Sequence, residues 1–115
     1  MLSSFVLDKP SIMERLGDDE EIFSMMVAMF LDDVDNNCAA LQAAVQATDA
    51  VQLQREAHTI KGLLATFSDD AGADLAFALE KQARAGEVAA GAAQVPALIA
   101  RVQDVAGVLR RLSGR

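Results

Sequence analysis

Tryptophan and tyrosine are absent and aromatic residues make up only 4% of a chain that is rich in alanine and leucine. That balance disfavours a sheet built from aromatic and β-branched side chains and favours helices. Cysteine occurs once, at Cys38, so no internal disulfide can form. Within an apolar helical pattern it reads as a small buried hydrophobe rather than a nucleophile or ligand, and a reducing cytoplasm fits. Positive charge is scarce: ten Lys and Arg stand against seventeen Asp and Glu, for a net charge of −7, with no long basic run. A phosphate backbone is repelled on average, so nucleic acid is not an expected partner. No apolar run approaches the roughly 20 residues of a membrane span, and the start, "MLSSFVLDKP", lacks the basic and apolar regions of a signal peptide. The expectation is a soluble, cytoplasmic protein that does not engage a membrane. There is also no GxxxxGK[ST] loop, no second histidine and no carboxylate cluster spaced as a metal cage. The chain is therefore expected to supply neither an ATP site nor magnesium of its own.

What is present is helical periodicity. With 115 residues the chain is long enough for one core and too short for two, so residues 1–115 are expected to form one domain. "DKPSIMERLG" reads as a short helix, with Pro10 near its start and Gly17 closing it. Asp18 and Glu21 resemble a capping box for a second helix, whose stripe runs Phe23, Met26, Val27, Phe30, Val34, Cys38, Leu41 and Val45. Asp49 and Gln52 offer another capping pair, ahead of the stripe Ala50, Leu53, Ala57, Ile60, Leu64 and Phe67. Asp69 and Asp70 supply cap residues for a helix with Ala71, Leu75, Leu79 and Ala83, which ends near Gly86. A last stripe takes in Val95, Leu98, Val102, Val105, Leu109 and Leu112; its helix begins either near Val88 or at Pro96. Four amphipathic helices with short connections and one small N-terminal helix predict an all-α, antiparallel up-and-down four-helix bundle.

The only histidine falls in "REAHTIKGLLATF". On a helix over 50–67, His58 lies about 120° from the core stripe, beside Gln54, Lys61 and Ala65. A lone histidine there is ordinarily a solvated surface residue. Gly62 weakens a helix by about 1 kcal/mol relative to alanine, which is tolerated where another body comes close, whether a binding partner or a neighbouring helix. If the next helix runs back antiparallel from a turn near Asp69, Glu80 faces His58 and Arg84 faces Gln54. His58, Lys61, Glu80 and Arg84 then converge; the plainer alternative is a surface ion pair between Glu80 and Lys81 or Arg84. A carboxylate accepting from Nδ1–H selects the tautomer whose Nε2 lone pair points outward, as a nucleophile requires. Two cations beside it suit an incoming phosphoryl group.

"AHTIKG", followed by "LEKQARAGE" beginning 21 residues after the histidine, resembles the histidine-containing phosphotransfer (HPt) domain of bacterial phosphorelays. The hallmark of that family is His-x-x-Lys-Gly on one helix and a Leu-Glu-type pair on the next. The resemblance covers the whole chain and implies a helical bundle in which His58 accepts and donates the phosphoryl group and Lys61 steadies it. It further implies that Glu80 hydrogen-bonds the imidazole, that Arg84 contacts the same site, and that Gly62 admits a receiver domain, with Gln54, Arg55 and Ala65 around it. Implied partners are a response-regulator receiver domain or a hybrid sensor histidine kinase, with Mg2+ carried by the receiver and the HPt chain a monomer. "LLATFSDD" departs from the small residues and Gly-Ala turn common in the family: Leu64 fits the core stripe, and Leu63 falls on the flank away from His58, partly exposed. Met25, Met26 and Met29 either pack in the core or form a hydrophobic docking patch edged by Met29 or Phe30.

The function implied is a relay intermediate rather than a stand-alone kinase. A non-catalytic module that docks on a receiver or kinase as inhibitor or scaffold is the alternative. A small hydrolase built on His58 and Glu80 lacks a second nucleophile and a candidate pocket.

Overall fold

The computed structural model describes residues 3–114. Its helices are α1 (Lys9–Arg15), α2 (Glu20–Gln46), α3 (Ala50–Thr66), α4 (Asp70–Arg84) and α5 (Val88–Ser113), with no strand among the described residues. The four long helices form the antiparallel bundle that the stripes predict, and α1 packs across one end, where the Arg15 guanidinium donates to the Thr66 carbonyl at 3.0 Å and to Ser68 Oγ at 2.7 Å. Among the described residues, no helix is long and apolar enough to cross a membrane.

Successive helices are joined by one recurring turn. After α2, Thr48 takes φ 52° and donates to the Val45 carbonyl, and Asp49 donates to the Ala44 carbonyl at 2.9 Å. Ser68 and Asp69 repeat this after α3, and Gly86 and Glu87 after α4. These paired bonds close the last turn of a helix and satisfy its free carbonyls. In the first two cases the aspartate that closes one helix also caps the next: Asp49 Oδ1 accepts from Gln52 N–H at 3.0 Å and Asp69 Oδ1 from Gly72 N–H at 3.1 Å. The Gln52 side chain reaches Glu56 instead of returning to Asp49, so that capping box is half formed.

The cap of α2 is Asp19, not Asp18, and Asp19 Oδ1 accepts from Ile22 N–H at 3.1 Å. Asp18 is held at φ 62° as its N–H closes α1 on the Met13 carbonyl, a conformation foreign to an N-cap. The inward line of α4 is also rotated from the expected one. Gly72, Ala76, Leu79 and Ala83 are buried, whereas Ala71 is exposed and Leu75 half-buried. α5 starts at Val88 and carries Pro96 on an exposed position within it, and Leu112 is exposed near its end.

The core runs through Phe30, Leu41, Leu53, Ile60, Leu64, Phe67, Leu79, Leu98 and Leu109, with Phe23 and Phe30 each in a T-shaped contact with Phe67. Cys38 is buried here, and burial pushes its thiol up, as suits a packing residue. Into this core passes one ion pair: Arg101 of α5 donates from Nε to Asp69 Oδ2 at 2.9 Å and from Nη2 to Oδ1 at 2.7 Å. Both residues are buried, and Arg101 also reaches the Ser3 carbonyl. Gly72 leaves room for this arrangement, since a Cβ there would lie 2.0 Å from Asp69 Oδ2. Asp69 thus sets the rotation of α4 that turns Gly72 and Ala76 inward and Glu80 toward α3.

Candidate functional site

α3 carries His58 and Lys61 on the flank nearest α4, because Ala57, Ile60 and Leu64 take the inward positions. α4 answers with Glu80, next to inward Leu79. Its residue is only 3% exposed, unusual for a carboxylate without several partners. His58 Nδ1 lies 2.9 Å from Glu80 Oε2, Lys61 Nζ 2.7 Å from Oε1, and Arg84 Nη2 3.2 Å from Oε2. An ionised carboxylate only accepts, so Nδ1 is the donor, and the neutral tautomer that this contact selects has its lone pair on Nε2. The His58 side chain is 66% exposed, so the ring stands largely in solvent beyond its bond to Glu80. His58, Lys61 and Arg84, which the antiparallel register draws to Glu80, therefore share its carboxylate, and the plainer pairing of Glu80 with Arg84 forms part of the cluster rather than an alternative to it.

Burial alone would raise the Glu80 carboxyl, but the hydrogen bonds and charge of Lys61 and His58 outweigh it and hold the group below the usual carboxylate range. A lowered folded-state value stabilises the fold above the unfolded glutamate value, and that contribution fades as pH falls through the lowered one. Compared with Glu80→Gln, the wild-type chain is expected to lose its thermal-midpoint advantage progressively from about pH 4.3 downward. Paired melting curves across acid pH measure this; a constant gap would contradict it.

Around the cluster, Gly62 is exposed and a Cβ built on it meets nothing within 4 Å. Close packing of a neighbouring helix is thus not the reason for this glycine. Arg55 and Ala65 are exposed, Gln54 is half-buried, and Arg84 bonds Glu80 rather than Gln54. Leu63 is half-buried, as its position on the far flank implies. Of the methionines on α2, Met25 and Met29 are exposed and Met26 is half-buried; Phe30 belongs to the core and edges no patch. One neighbour escaped the sequence reading. Phe77 lies under both the Lys61 and Lys81 ammonium groups, 4.8 and 4.5 Å from its ring centroid. The register that sets Glu80 opposite His58 also sets position 77 opposite 61, which is the signal that could have found it.

The sequence model of the Hpt domain matches residues 25–108, and the chain belongs to that family. Among solved structures it is similar to the crystal structure of histidine-containing phosphotransfer protein B (HptB) from Pseudomonas aeruginosa PAO1, at 25% identity and a TM-score of 0.82 over 95% of each chain. No curated protein matches it.

Proposed function

We propose that this domain is a phosphorelay intermediate in which Nε2 of His58 takes a phosphoryl group from an aspartyl phosphate on a receiver domain, or from a histidine kinase, and passes it to another receiver aspartate. The observation that carries this is the 2.9 Å contact of Nδ1 with buried Glu80 beneath an imidazole that is otherwise open to solvent. In the forward step the Nε2 lone pair forms the N–P bond as the P–O bond to the donor aspartate breaks, and the aspartate leaves as a carboxylate. The ring, with its proton still on Nδ1, becomes positive, and Glu80 accepts that N–H as the charge develops. Transfer onward reverses these bonds. Lys61 and Arg84, both held on the Glu80 carboxylate that His58 also bonds, exchange it for the phosphoryl oxygens, which neutralises charge on the group in flight. The receiver contributes Mg2+, which would neutralise the phosphoryl oxygens from its side. The domain acts as a monomer and meets each partner at the face around Gly62.

The test is to mix the protein with a phosphorylated receiver domain and follow acid-labile, base-stable label on the chain. Uptake is expected; binding without uptake would leave only a docking module. Gly62→Gln fills the open space above the helix. It is expected to raise the thermal midpoint, since glycine weakens a helix by up to about 1 kcal/mol, and at the same time to slow transfer at least tenfold at fixed partner concentration. An unchanged transfer rate would remove docking as the reason for Gly62.

A further inference from the structure

Four of the five phenylalanines are buried, with Phe5, Phe23, Phe30 and Phe67 all at 5% exposure or less. Phe77 is 41% exposed, although the core continues beside it through Ala76 and Leu79. Its ring is not idle: it takes the Lys61 ammonium from α3 and the Lys81 ammonium from its own helix. The negative face of an aromatic ring attracts a cation at such distances. Lys61 needs a guide of this kind, being a compact charge on a flexible four-carbon stem. Its carboxylate partner, Glu80, is shared with His58 and Arg84. When the His58 ring turns positive, Lys61 must leave that carboxylate for the phosphoryl oxygens without swinging into solvent. A neutral, polarisable surface below the ammonium keeps it near His58 and offers no competing hydrogen-bond acceptor.

We propose that Phe77 is a positioning residue for phosphoryl transfer, its ring holding the Lys61 ammonium at the site while that cation passes from Glu80 to the phosphoryl group. This rests on the relay reading above. The ring acts through Lys61 and touches none of the reacting atoms.

The experiment is a double-mutant cycle on single-turnover transfer from a phosphorylated receiver domain, with Phe77→Leu placed in the wild-type and Lys61→Met backgrounds. In wild type, Phe77→Leu is expected to lower the maximal rate about two- to fivefold, the size of an exposed cation–π contact, with the half-saturating receiver concentration unchanged. In the Lys61→Met background it is expected to change nothing further, and Phe77→Trp should keep the wild-type rate. Nuclear magnetic resonance gives a second readout: the Lys61 ε-methylene protons should carry an upfield ring-current shift that Phe77→Leu removes. A loss of equal size in both backgrounds, seen in the half-saturating concentration, would make the ring a direct docking contact and overturn the proposal. So would an unaltered rate in wild type, or a Lys61 signal without the ring-current shift. If wild type takes up no label at all, the relay reading itself fails, an outcome distinct from uptake that ignores Phe77.

Discussion

His58→Gln is expected to abolish phosphoryl uptake and to leave the bundle folded. A carboxamide has no nucleophilic nitrogen to replace Nε2, so label from a phosphorylated receiver should fall to background, a loss of several orders of magnitude in rate. The fold should hardly respond, because the side chain is two-thirds exposed and its link to the core is one hydrogen bond to Glu80, worth about 1 kcal/mol. Glu80 would keep Lys61 and Arg84 as partners. Label measured beside a thermal melt separates the possibilities: retained label places the acceptor elsewhere, and a large fall in midpoint makes the histidine structural.

The largest effect on stability is expected far from the chemistry, at Asp69. Asp69→Ala strands the Arg101 guanidinium in the core and removes the cap of α4, and stripping one partner from a buried pair destabilises by about 3–5 kcal/mol. Domains of this size have about 5–15 kcal/mol in all, so the urea midpoint should drop by about a fifth or more. Replacing both members, as in Asp69→Leu with Arg101→Met, should recover a large part of the loss, because no uncompensated charge remains. If the single substitution lowers the unfolding free energy by less than about 1 kcal/mol, the worth of a lost cap, the ion pair does not hold α4 in place.

This pair also marks the boundary of what periodicity discloses. Stripes such as Leu53, Ala57, Ile60 and Leu64 identify their helices because an inward face must repeat every three or four residues. The meeting of His58 with Glu80 was legible too, since a short turn at Asp69 leaves two antiparallel helices few choices of register. Arg101 was not, because a charged residue between Leu98 and Val102 reads as solvated until a carboxylate from another helix is seen against it. The same ignorance of rotation explains α4, where Ala71 and Leu75 fit a four-residue repeat as well as Gly72 and Ala76 do, and only Asp69 decides between them. For Gly62, sequence offered two kinds of visitor, and the empty space above it removes one of them.

The shared aspartates between helices gear the bundle. Because Asp69 ends α3 and starts α4 with no residue to spare, the angular settings of the two helices are meshed. One added residue in that turn would either unseat the cap or roll α4 by about 100°, one residue's step around a helix. Glu80 would then swing off its line to His58, so the length of a turn three helical coils away decides which nitrogen of the imidazole is fixed as a donor.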